Sequence, residues 1–171
     1  MRLIYIFRLD SHLVVSTVHE TVVFELGNDN DISRVDAISS GFVTHLPTLA
    51  TCNISRVNDV SSNADSPFVV QVTQKEVILL EFEMSFNEYT QVGEKWTPDD
   101  LKTANPREIV AASVNPSQIV LGLSGVILVL LNLSENNKLC RVRQAFCSFA
   151  THYRRKQLVH SIQQPMLSCQ C

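Results

Sequence analysis

From residue 1 to 138 the chain is built of short runs of β-branched and other apolar residues, each closed by a polar, turn-forming cluster. No sustained i, i+3, i+4, i+7 apolar stripe interrupts them, so the pattern is that of strands rather than helices. Residues 13–18 and 21–26 read as two strands across a His19-Glu20 connection. Gly27 to Asp31 follows as a cluster of residues that tolerate left-handed backbone. Residues 32–38 and 48–54 form weaker strands, and 55–67, dominated by Ser, Asn and Asp, is a surface insertion within the domain. Strands resume at 68–72, 77–82 and 89–96, and 99–107 is polar enough for an exposed loop with one helical turn. The runs 109–114, 119–123 and 126–133 are divided by Asn115-Pro116-Ser117 and by Ser124-Gly125, which predicts three consecutive antiparallel strands.

About ten short strands with short connections suit a sandwich, a barrel or successive propeller blades. Periodicity does not choose among them. A blade takes about 40–45 residues, so 1–138 would hold two to three blades, short of the roughly four to eight that close a ring. The apolar stretch 119–133 is not a membrane helix. A spanning helix needs about 20 apolar residues, and the Gly122, Ser124, Gly125 interruption in a Val- and Ile-rich run marks a buried hairpin.

Charge divides the chain near Leu139. Residues 1–138 hold nine basic against all 17 acidic residues, a formal −8, and 139–171 is +5. A field of that sign across the first part does not draw in phosphate backbones. The opening apolar run, flanked by Arg2 and Arg8, is shorter than a secretory signal and lacks a small-residue cleavage site, so a reducing intracellular compartment is expected. On that expectation the glycosylation patterns at Asn53 and Asn132 are loop chemistry.

The second part contains no Gly and four of the five cysteines, Cys140, Cys147, Cys169 and Cys171, with Cys52 alone in the first. Together with His152 and His160 these suggest zinc, but the spacing fails: Cys169-Gln170-Cys171 is too close for the paired-ligand turn a structural site needs. Arg141, Arg143, Arg154, Arg155 and Lys156, interleaved with Phe146, Phe149 and Tyr153, form a basic-aromatic cluster of the kind that touches phosphates and stacks on bases. Five cations are few, and a solvated tail accounts for them. No nucleophile elbow, phosphate-binding glycine loop or zinc-protease motif is present. His19-Glu20 lies in a hairpin connection where exposed polar residues are routine, Asp99-Asp100 suits a loop or helix start, and Trp96 suits a core. No catalytic, cofactor-binding or metal-binding residue is assigned, no cofactor is implied, and the chain is read as a non-enzyme.

In order along the chain, residues 13–24 (LVVSTVHETVVF), 41–42 (GF), 68–72 (FVVQV), 94–98 (EKWTP) and 109–120 (IVAASVNPSQIV) resemble the second β-propeller of one family. It comprises the large subunit of UV-damaged DNA-binding protein, the cleavage and polyadenylation specificity factor A subunit, and the large splicing factor 3b propeller subunit. The resemblance covers about 9–133 and consists of dispersed strand motifs. It is nearest to the damaged-DNA-binding subunit at 13–24 and 109–120, and nearly as near to the splicing relative around Thr48-Leu49 and 123–125.

The resemblance implies an all-β, WD40-like propeller fragment of two to three blades at 1–138, followed by an irregular, divergent, basic and Cys-rich tail at 139–171. That tail reads as disordered or as translated intron or out-of-frame sequence, with a divergent isoform as the alternative. It implies a nuclear scaffold that links a cullin-type ubiquitin ligase to substrate receptors in DNA repair, with an indirect nucleic-acid association and no membrane. The alternatives are a pre-mRNA splicing or 3′-end processing subunit, and a stand-alone small all-β binding domain. An unclosed run of blades leaves bare edges, so poor solubility or oligomers are expected of the chain expressed alone.

Overall fold

The computed structural model describes residues 3–9, 11–27, 31–56, 67–103 and 105–146. They form twelve strands in three four-stranded sheets. Blade 1 is β1 (Leu3–Leu9), β2 (His12–Thr17), β3 (Thr21–Leu26) and β4 (Ile32–Arg34). Blade 2 is β5 (Thr48–Asn53), β6 (Phe68–Thr73), β7 (Val77–Glu83) and β8 (Glu88–Trp96). Blade 3 is β9 (Ile109–Asn115), β10 (Gln118–Leu123), β11 (Ile127–Leu133) and β12 (Leu139–Phe146). In each sheet neighbours in space are neighbours in sequence and every pair is antiparallel. This up-and-down meander is the unit of a propeller blade. The first strands adjoin across the seams, β1 beside β5 and β5 beside β9.

Blade 2 is the shared wall. Successive side chains of a strand point to opposite faces, and here both faces are covered, so every residue of β6 is buried. Val69, Ile78 and Leu80 enter a core with Leu9, Val14, Val23, Phe42 and Tyr89. Phe68, Val70, Val72, Val77 and Leu79 enter the other, with Trp96, Ile109, Leu121, Val129 and Leu131. The near-continuous apolar sequence of β6 and β7 is what burial on both faces requires.

Four expectations are corrected. The first strand was not foreseen: residues 3–9, weighed only as a leader, form β1 and pair with β2. The irregular segment expected from Leu139 starts with a regular strand, because β12 completes blade 3 through a register from Leu133–Leu139 to Ile127–Phe146. Its exposed Arg141 and Arg143 disguise an edge strand as a basic tail, and a charged edge is one way a sheet avoids unwanted pairing. Residues 147–171 lie outside the described set. The weak strand at 32–38 ends at Arg34, and 35–47 crosses instead to blade 2. Asn53 and Asn132 close or lie within strands rather than loops.

The helical turn expected within 99–107 is a 3₁₀ turn at Pro98–Leu101, started by Pro98 and closed by Lys102 in left-handed backbone. The hairpin predicted in place of a membrane helix is β10 and β11. No described helix is long and apolar enough to cross a membrane.

Candidate functional site

The seams between blades carry the most specific chemistry. Between blades 1 and 2, Gln71 is fully buried in the middle of β6. Its Oε1 accepts from the Val43 N–H at 2.8 Å, and its Nε2 donates to the Val43 carbonyl at 3.0 Å and to Thr48 Oγ1 at 2.7 Å. The Thr48 hydroxyl meets that of Thr21 at 2.8 Å, and Thr21 Oγ1 also donates to the Leu46 carbonyl at 2.7 Å. One amide thus satisfies both backbone groups of a crossing residue that has no strand to pair with.

Above this chain of bonds, at the start of β2, His12 stands edge-on to Tyr89 and Phe82, with ring centres 5.0 and 5.9 Å away. Ser11 Oγ lies 2.8 Å from its Nδ1. Burial pushes the imidazole pKa below its ordinary value, and the Glu25 carboxylate opposes this only in part. Glu25 in turn accepts from the side-chain amide of Asn87, in the β7–β8 turn, which ties the two blades at their rim. Because the native state holds His12 neutral, the unfolded chain binds more protons between the ordinary imidazole pKa and the lower native one. Stability is therefore full above about pH 6.5 and is lost as pH falls below it. Urea titrations across pH 7.5 to about 5 are expected to show this slope, and His12→Phe to flatten it.

Between blades 2 and 3, Arg56 stacks 4.8 Å from the Phe68 ring centre and its Nε donates to Asn137 Oδ1 at 2.8 Å. Its backbone forms an isolated parallel bridge with Leu133, and Ser55 N–H donates to the Pro116 carbonyl at 2.7 Å. Arg56→Ala is expected to cost about 1–2 kcal/mol in chemical denaturation, from one hydrogen bond and one cation–π contact.

Among the described residues, those weighed for chemistry are not brought together. His19 and Glu20 form the β2–β3 turn, where both backbone N–H groups donate to Thr17 Oγ1. The same turn recurs in blade 2: Lys75 and Glu76 N–H donate to Thr73 Oγ1, and Thr73 Oγ1 donates to the Glu76 carbonyl as Thr17 Oγ1 does to Glu20. A Thr-x-x-Glu turn used twice in equivalent places is repeat architecture. Asp100 Oδ2 caps the 3₁₀ turn by accepting from Thr97 N–H at 2.6 Å, and Trp96 lies in the core. Cys52 and Cys140 lie half-buried on different blades. Among the described residues no three His, Cys, Asp or Glu side chains gather as metal ligands. Of the basic-aromatic cluster, Arg141 and Arg143 are exposed on β12 and Arg141 donates to Gln144 at 3.1 Å. Cys147, Phe149, His152, Tyr153, Arg154, Arg155, Lys156, His160, Cys169 and Cys171 fall outside the described residues.

What the molecule offers a partner is apolar surface. Met84 and Phe86, 87% and 70% exposed, cap the β7–β8 turn between Glu83 and Glu88. On blade 1 the face turned away from blade 2 carries Ile6, Leu13, Val15 and Phe24, with a depression of about 370 Å³ bounded by Arg8, Leu13, Leu26, Gly27, Asp31 and Ile32. On blade 3 the face turned away from blade 2 carries Val120, Leu128 and Leu130, alternating with the buried Ile119, Leu121, Ile127, Val129 and Leu131. Sequence reasoning missed Gln71, His12 and Arg56. The repeated Thr-x-x-Glu spacing was present as a signal of the blade period.

Residues 6–152 match the family model described as the RSE1/DDB1/CPSF1 second beta-propeller. No significant match was found among curated proteins. Among solved structures, a crystal structure of a protein from Lactobacillus plantarum is similar with a TM-score of 0.58 at 10% sequence identity, over 84% of this chain and 41% of that one. The N-terminal domain of Nup159 is similar with a TM-score of 0.47 at 10% identity, over 88% and 32%. The chain therefore spans less than half the length of the Lactobacillus protein, and at this identity the likeness is one of fold.

Proposed function

Because the chain belongs to the family of the RSE1/DDB1/CPSF1 second β-propeller, we propose that it works in the nucleus as a non-enzymatic scaffold for protein–protein interaction. The family's propellers are scaffold domains, generally without catalysis. The observation that carries the reading is that the match over 6–152 falls on three meander blades, with the same Thr-x-x-Glu turn in two of them and hydrogen-bonded seams from blade 1 to blade 2 and from blade 2 to blade 3. Within the family, the role we propose is that of the damaged-DNA-binding subunit, which links a cullin-type ubiquitin ligase to substrate receptors. The likeness of 13–24 and 109–120 to that subunit supports it. Nucleic acid would then be reached through partners, in keeping with the acidic first part of the chain.

The test is direct. Purified full-length chain is mixed with the amino-terminal domain of a cullin-type scaffold or with a splicing factor 3b assembly lacking its propeller subunit, and complexes are resolved by size exclusion. Co-elution with the cullin alone is expected. Co-elution with the splicing assembly alone would move the chain to the pre-mRNA branch, which the region around Thr48 and 123–125 favours. Binding to neither would remove both roles.

A further inference from the structure

The β7–β8 hairpin, at the rim of the middle blade, breaks two local rules within six residues. Met84 and Phe86, both large and apolar, stand largely in solvent at its tip. Glu83 and Glu88 are register partners at its base, and like charges directly opposite each other destabilise a sheet. Local inconsistencies that gather at one place are expected at functional sites. The tip is nonetheless held firmly. The Phe86 N–H donates to the Glu83 carbonyl at 3.2 Å, the Phe82 N–H to the Pro67 carbonyl at 2.8 Å, and the Asn87 side-chain amide to Glu25 of blade 1. A knob fixed before it meets a partner loses little entropy on binding, and Met and Phe are enriched where proteins meet. From 81 to 91 every charged residue is acidic. Glu81 lies two residues before Glu83 and so shares its face with Glu83 and Glu88. Among the described residues none of these three carboxylates is in an ion pair.

We propose that Met84 and Phe86 form a docking knob for a basic amphipathic segment of a partner protein, whose apolar side chains pack on the two tip residues while its Lys or Arg side chains answer Glu81, Glu83 and Glu88. Burial of apolar surface supplies the affinity, and the carboxylates steer the encounter and reject acidic partners. The opposition of Glu83 and Glu88, costly in the free protein, is relieved when cations of the partner lie between them. This deepens the scaffold reading above and rests on it only in taking the ligand to be a protein.

The probe is a fluorescently labelled Leu–Lys peptide of about 15 residues, patterned as a helix with one apolar stripe, titrated with the full chain by fluorescence anisotropy. A Leu–Glu peptide of the same pattern and a Lys–Ser peptide of the same charge are the controls. The Leu–Lys peptide is expected to bind, and both controls to bind at least about tenfold more weakly. Met84→Ser combined with Phe86→Ser is expected to weaken the Leu–Lys peptide about 30-fold, the loss of an interface anchor. Glu83→Gln combined with Glu88→Gln is expected to raise the urea midpoint, because the opposed charges are gone, and at the same time to weaken the peptide and flatten its salt dependence. Stability gained and binding lost in one variant is a result that unfolding does not produce. No binding of the Leu–Lys peptide, equal binding of the Leu–Glu peptide, or binding indifferent to either double variant overturns the proposal; indifference means attraction to the net charge of the chain elsewhere. The titration uses neither assembly named above, so loss of both family roles leaves its result standing, and its failure leaves those roles standing.

Discussion

Gln71→Ala is expected to lower stability by about 3–5 kcal/mol, a large share of the roughly 5–15 kcal/mol that holds an ordinary domain folded. Three hydrogen bonds go at once, and the cost lies mainly in what they leave behind. The Val43 N–H and carbonyl remain inside the seam with no strand neighbour, and each unsatisfied buried group costs about 1–3 kcal/mol. A cavity in β6 adds to this. Gln71→Glu makes the sharper test. The carboxylate still accepts from Val43 N–H but has nothing to donate to the Val43 carbonyl or to Thr48, and its charge is buried. Protonation restores the missing donor. The variant is therefore expected to gain stability relative to wild type as pH falls, against the slope that His12 gives the native protein. Urea midpoints at two pH values, with circular dichroism as readout, decide it; parallel slopes would mean the amide is not the seam's organising group.

Gly41→Ala is expected to cost about 3 kcal/mol or more. Gly41 has φ +70° and sits so close to blade 2 that a methyl carbon there would lie 2.1 Å from the Tyr89 backbone oxygen and 2.7 Å from its carbonyl carbon. Left-handed backbone penalises any side chain by about 1–2 kcal/mol, and the collision adds at least as much because backbone within β8 has nowhere to go. Gly122 is the control. Its added methyl would meet the Ala111 methyl at 3.5 Å, an ordinary contact, with no left-handed φ. Gly122→Ala should be neutral or stabilising by about 0.5 kcal/mol, since glycine inside a strand loses more backbone entropy than alanine. Thermal unfolding of the two variants side by side separates a close-approach glycine from an incidental one; equal shifts would contradict the seam geometry.

The strand runs and their consecutive order were legible in the sequence because a meander needs only local pairing, which alternation and turn residues encode. Twelve strands were found where about ten were read, and the two missed ones share a cause. Residues 3–9 were weighed against a targeting signal, and β12 carries arginines at Arg141 and Arg143 that look like tail charge unless a partner strand is known. Gln71 could not be recognised from 68–72 alone. An amide amid valines reads as the solvent-facing position of a half-buried strand, and only the placement of blade 1 over that face makes it a buried clamp. Gly41 was noted beside Phe42, but its reason is the distance to Tyr89, which is far away in sequence. The Thr-x-x-Glu turns were fully local, and the recurrence of Thr17-to-Glu20 in Thr73-to-Glu76 would have fixed the blade period early. Function was legible only as family likeness, since a scaffold's chemistry lies in surfaces assembled from distant strands.

The shared wall of blade 2 also sets how the protein comes apart. Each flanking blade can peel away by breaking a single seam, but β6 and β7 lose protection only when both seams have opened. Their amides should be the slowest in the molecule to exchange, and a protease acting on the native state should trim from either flank before it reaches the middle. A chain assembled this way resists in layers, with its centre recording the sum of both contacts and its flanks one each.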